Sequence, residues 1–188
     1  MPVSADGLLL LNKEICNDGL THDGEERAMT DVANYSYRGA GAMVQLQQQH
    51  LRSFFDVWQR ARELGVAMPT TEDPDCASLE ALLSHVLAAA RGYMMWMCKV
   101  LRLGNPEIEK APTAGEVEGK AGEYLEHLIS RWDGPLVGVE EEAFFSPAHS
   151  APWGVETSVD AMLEHAVMHA IRHQFQLESL LKQAENCR

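Results

Sequence analysis

Three of the chain's eight histidines stand four residues apart, in His165-Ala-Val-Met-His169-Ala-Ile-Arg-His173. A neutral imidazole offers one nitrogen lone pair, the donor preferred by zinc and its divalent neighbours. On a helix, residues four apart differ by about 40° in azimuth and ~6 Å along the axis, so two such imidazoles can converge on one ion. Three cannot, because His165 and His173 lie about 12 Å apart along that axis. One of the two end histidines therefore falls outside the metal's sphere.

A third ligand must come from a second helix. His85 is the best candidate, beside the apolar stripe of its helix and next to Val86. Helix axes pack ~8–10 Å apart, which lets histidines on facing helices meet. His50 is the competitor, although a single histidine on an apolar face is more often a hydrogen-bonded core residue. His22, His127 and His149 read as surface positions.

Other chemistry is poorly represented. Glu164 precedes His165 rather than following it, so there is no HExxH, and GxSxG, P-loop and CxxC patterns are absent. Glu140-Glu141-Glu142 reads as a solvated loop, and Met94-Met95-Trp96-Met97 as core packing rather than a copper site. No cysteine has a spacing that suggests a nucleophile.

Four helices must carry these residues. The first spans about 42–64, with Met43, Leu46, His50, Phe54, Val57, Trp58 and Ala61 on one apolar face and Gly65 at its end. The second starts at the natural N-cap Ser78, runs through Leu79, Leu82, Leu83, Val86, Leu87 and Ala90, and stops at Gly104-Asn105-Pro106. A capping box, Thr113 with Glu116, opens the third, which Asp133-Gly134-Pro135 closes. Residues 133–156 form a long connection with a short strand at 136–139 and help to shape a substrate entrance. Thr157 with Asp160 opens the fourth, which reaches about Gln183. This is an all-α chain, a four-helix bundle over 36–188. It is preceded at 1–35 by an acidic, weakly patterned arm whose order the sequence leaves open.

At 188 residues and 46% hydrophobic, the chain has the size and composition of one globular domain. A net charge of −13 disfavours nucleic acid and anionic membrane surfaces as partners. Four scattered cysteines fit a reducing compartment. Leu8–Leu11 is too short for a signal peptide, and no segment approaches a membrane span. The expected location is cytoplasmic. A bundle with spare apolar surface can form a two-fold homodimer, though no residue specifies one.

The run from His165 to Gln176, with the apolar tail Leu177–Leu181, resembles the last helix of the DinB-like (DinB/YfiT) proteins, which typically reads HxxNHxxxHRGQ. Leu79–His85 resembles that family's second helix, and Pro152-Trp153-Gly154 its loop, so the resemblance covers about 40–185. It implies a bundle ordered up-down-down-up, in which the 104–112 connection crosses the molecule. Nine extended residues reach at most ~32 Å, enough to return along a 20-residue helix. It also implies the ligand set His85, His169 and His173, with His165 left out, for zinc, nickel, iron or manganese. Met168 stands where the family commonly has Asn, and Gln174-Phe175 replace Arg-Gly. These departures leave the ligands in place but weaken any substrate analogy.

Three neutral imidazoles leave an open coordination position, at which a divalent metal lowers the pKa of water or steadies a thiolate. The expected function is a metal-dependent thiol S-transferase or hydrolase acting on a small molecule, with a low-molecular-weight thiol as cosubstrate in the first case. The alternative is a non-enzymatic metal-binding or stress-response module, its sphere closed by a fourth protein ligand such as His50 or Glu164.

Overall fold

The computed structural model describes residues 31–186, so most of the expected acidic arm, residues 1–30, lies outside the described residues. The chain is mainly helical. The elements are α1 (Arg38–Glu63), α2 (Leu79–Val100), α3 (Val117–Trp132), a short α4 (Glu141–Phe145) and α5 (Val159–Asn186). Single 3-10 turns occupy Val32–Asn34 and Pro74–Cys76, and a two-residue hairpin pairs β1 (His149–Ser150) with β2 (Glu156–Thr157). No described helix is long and apolar enough to cross a membrane.

Local chemistry explains the helix ends. Ser78 caps α2 by accepting the Ala81 amide at 3.1 Å, as expected. Gly65 takes a left-handed φ of 64° after α1, a conformation open to glycine at little cost. Three ends differ from expectation. Helix α2 stops at Val100, where Arg102 turns left-handed ahead of the Gly-Asn-Pro signal. Glu116 does reach back to the Thr113 amide at 3.1 Å, but this closes a separate turn and α3 starts after it. Ser158 rather than Thr157 caps α5, accepting the Ala161 amide at 3.1 Å. The strand expected at 136–139 is a pair of turns, closed by Val137 N–H to Gly134 O and Val139 N–H to Leu136 O.

Side-chain contacts set the relative directions of the long helices. Arg52 pairs with Glu126 and Arg62 with Glu118, so α1 and α3 are antiparallel. His50 faces Gln174 and Arg60 pairs with Glu185, so α1 and α5 run the same way. The Trp58 indole donates to Leu79 O at 2.7 Å, joining the end of α1 to the start of α2. The segment 101–116 returns along α2: Arg91 donates to Ile108 O and Ser84 to Pro112 O. Helix α3 is fastened to the same segment, Tyr124 to Glu109 O and Arg131 to Glu107, so α2 and α3 are parallel.

The core between them contains Phe54, Trp58, Leu82, Leu83, Met94, Met97, Leu128 and Trp132, all essentially inaccessible. Burial of Met94, Trp96 and Met97 agrees with their reading as packing residues. The buried face of α1 is rotated from expectation. Leu46 is 39% exposed, while Val44, Gln47, Gln48 and Leu51 point inward. The Gln48 amide is compatible with burial because it donates to Asp133 Oδ1 at 2.6 Å and to Ile129 O at 3.2 Å. Tyr35, assigned by sequence to the arm, is buried and donates to Asp133 O, so the packed structure begins before residue 36.

Candidate metal centre

Helices α2 and α5 run antiparallel, and His85 projects from the first turns of α2 toward the middle of α5. There His169 and His173, one turn apart, meet it. One ligating atom from each of the three histidines lies within 4.8 Å of the other two. His85 Nε2 and His169 Nε2 are 3.0 Å apart. A tetrahedral ion with bonds of 2.0–2.1 Å would hold two such nitrogens about 3.3 Å apart.

The ring positions give a second test. An imidazole centre sits ~1.1 Å behind its ligating nitrogen, so tetrahedral sharing of one ion puts centres about 5.1 Å apart. The three separations are 4.9 Å for His85–His169, 5.4 Å for His85–His173 and 4.6 Å for His169–His173. The chain's own residues therefore fit a divalent metal.

Two of the three far nitrogens are tied down. His85 Nδ1–H donates to the Asp75 carboxylate at 2.9 Å, and His173 Nδ1–H to Gln176 Oε1 at 3.0 Å. Each partner is an acceptor, which holds the proton on Nδ1 and turns the Nε2 lone pair to the centre. Burial, then the neighbouring imidazoles, holds His169 down to about 3. Burial also lowers His173, against the opposing bond to Gln176. Both are neutral at physiological pH, the state that can ligate.

The remaining histidines stand apart. His165 is exposed, lies between the rings of Trp153 and Tyr93, and does not join the group. His50 faces Gln174 across a 3.5 Å contact instead of the centre. Half-buried His127 accepts the Glu109 amide, and His149 lies edge-on to Trp96. His22 lies outside the described residues.

A recess of about 350 Å³ opens onto the three histidines, and its wall also includes Asp73, Cys76, Arg172 and Gln176. The turn before α2 thus shapes the entrance, and the segment 133–156, expected to do so, contributes none of the lining. The sequence reading gave no site role to Asp75, Cys76 or Gln176, although Gln176 closes the quoted histidine run. Of these only Gln176, three residues past His173, has a spacing that could have marked it. The Cys76 thiol is pushed up by burial and by Asp73, which keeps it protonated and a poor nucleophile. No family model matches the chain, and neither does any curated protein or solved structure.

Proposed function

We propose that the chain is a metal-dependent enzyme of the DinB-like type, a thiol S-transferase or hydrolase acting on a small molecule. One divalent transition metal (zinc, nickel, iron or manganese) would be held by His85, His169 and His173. The observation that carries this reading is the convergence of three imidazoles, two of which, His85 and His173, already have their outer nitrogens bonded to Asp75 and Gln176. The helix directions support the matching fold, a four-helix bundle ordered up-down-down-up.

Among the described residues three ligand atoms gather, not four. That supports an open position over the closed sphere expected of a purely structural site. When bound, the metal would supply Lewis acidity, easing ionisation of water or a thiol at that position. The chain's residues do the rest. Asp75 and Gln176 aim the imidazoles, and the recess admits a small ligand. Cys76, held as a thiol, leaves the nucleophile to come from a cosubstrate or from water.

The test compares metal-loaded with chelator-treated protein. A panel of low-molecular-weight thiols is run against chloro-nitroaromatic, epoxide and maleyl acceptors, and esters and amides are run without thiol. Metal-dependent turnover that discriminates among thiols supports transfer, and thiol-free cleavage supports hydrolysis. A loaded protein inert in both panels overturns the enzymatic reading in favour of a binding module.

A further inference from the structure

Four of the six large hydrophobic side chains exposed among the described residues, Leu46, Trp153, Met168 and Phe175, lie on or beside the outer face of α5. Met168 is 53% and Phe175 67% exposed, and their seven-residue spacing sets them two turns apart on one face. Leu46 flanks them across the seam with α1. The contact of His50 with Gln174 fixes the register of the two parallel helices, which brings Leu46, one turn earlier, level with the middle of α5. Trp153 lies on the other flank, its ring 5.2 Å from that of His165, one turn before Met168. An amphipathic helix ordinarily keeps its outward face polar.

The charges on this face form a self-complementary set. Glu164 and Arg172, both exposed, stand four residues before and four residues after Met168, in one row of the helix surface. Eight residues separate them by ~12 Å along the axis, too far to pair within one helix. Two copies of α5 crossing antiparallel over Met168 reverse the order of the row. Glu164 of each then meets Arg172 of the other, twice by symmetry. Alignment of such four-residue rows at a crossing near 50° is the commonest packing of helices in globular proteins. An occupant of one charge sign instead leaves Glu164 or Arg172 facing its like. The acidic segment 1–30 is such an occupant, with six acids against Lys13 and Arg27.

We infer that the outer face of α5 is the two-fold interface of a homodimer. Met168 lies on the axis, Glu164 pairs with Arg172 of the partner subunit, and Leu46, Trp153 and Phe175 are covered on either flank. Apolar side chains around a charge pair exclude water from it, which is how interface contacts of this kind gain strength. Because Arg172 also borders the recess over the three histidines, the partner subunit stands at the recess rim.

Sedimentation equilibrium of the full chain over a concentration series tests the interface. The wild type should be a reversible dimer. E164R and R172E each set like charges against one another at both pairs, and each should raise the dimer Kd roughly tenfold or more. The double variant E164R/R172E exchanges the charges and should return Kd to within about threefold of wild type. The two positions are too far apart within one chain for the exchange to repair a folding defect, so recovery reports contact between subunits. F175S removes apolar contact without adding charge and should also weaken the dimer. A chain that stays monomeric throughout overturns the inference and leaves the face to another occupant, residues 1–30 among them. So does a dimer indifferent to the single variants, or a double variant that dimerises no more tightly than they do.

Discussion

The Asp75 carboxylate accepts the Nδ1 proton of His85 at 2.9 Å, linking the 3-10 turn before α2 to a ligand one and a half turns into it. The bond fixes both the tautomer and the tilt of the ring. Partners of this kind typically contribute 10–100-fold to metal affinity. Asp75→Asn should therefore weaken binding by about that factor while leaving the stoichiometry at one. Competition against a chromophoric chelator measures it, and unchanged affinity would remove Asp75 from the site.

Alanine replacements should divide the histidines. His85→Ala, His169→Ala and His173→Ala should each lose most of the metal affinity, whereas His165→Ala should lose little. Elemental analysis after dialysis against limiting metal reads the outcome. If His165→Ala emptied the site and His173→Ala did not, the register of the ligand pair on α5 would be misassigned.

Acid should destabilise the metal-free protein over a defined window. Burial, followed by the nearby imidazoles, lowers His169 to about 3 from its usual 6.5. Between those values the unfolded chain binds a proton that the folded chain refuses, so stability falls as pH drops from ~6.5 towards ~3. Denaturant titrations at several pH values should show this slope, and His169→Gln should flatten it. An identical slope in the variant would contradict the assignment. Metal uptake should weaken over the upper part of the same range, because protons compete for imidazole.

Metal should raise thermal stability through preferential binding to the folded state. At free metal one hundred times Kd the gain is about 2.7 kcal/mol. The melting temperature should rise with metal in the wild type and stay fixed in His173→Ala. Equal rises in both would mean that the ion binds elsewhere.

Ser78→Ala should cost about 1 kcal/mol of stability, the usual value of a lost N-cap. The Ser78 hydroxyl accepts the Ala81 amide and starts the helix that bears His85. The variant should still bind one metal, since no ligand or ligand partner is touched. Denaturant midpoints combined with metal analysis distinguish these effects.

What could be read from residue order was whatever recurs at short range. The stripe Leu79, Leu82, Leu83, Val86 and Leu87 and the four-residue histidine steps follow from helical period alone, and both hold in the structure. The rotated face of α1 was not legible, because Gln48 is tolerated inside through acceptors on Ile129 of α3 and on Asp133 just past its end, more than eighty residues away. Asp75 was missed for a related reason. The turn at Pro74–Cys76 bends it back over α2, and no fixed spacing relates a bent turn to the helix behind it. The boundary at α5 shifted by one residue because Ser158 and Thr157 are equally competent caps, and pairing of Thr157 with His149 in the hairpin leaves the role to Ser158.

The two facing nitrogens of His85 and His169 belong to residues 84 positions apart. An ion between them would close a long loop, and most of the chain-entropy cost of that closure must be met before any coordination energy is gained. No isolated helix, hairpin or early local turn can display the three-nitrogen site. Its spectroscopic signature during refolding should therefore arrive together with the docking of α2 on α5 and lag behind the recovery of helical signal. Metal uptake then serves as a clock for the slowest, most non-local step of assembly.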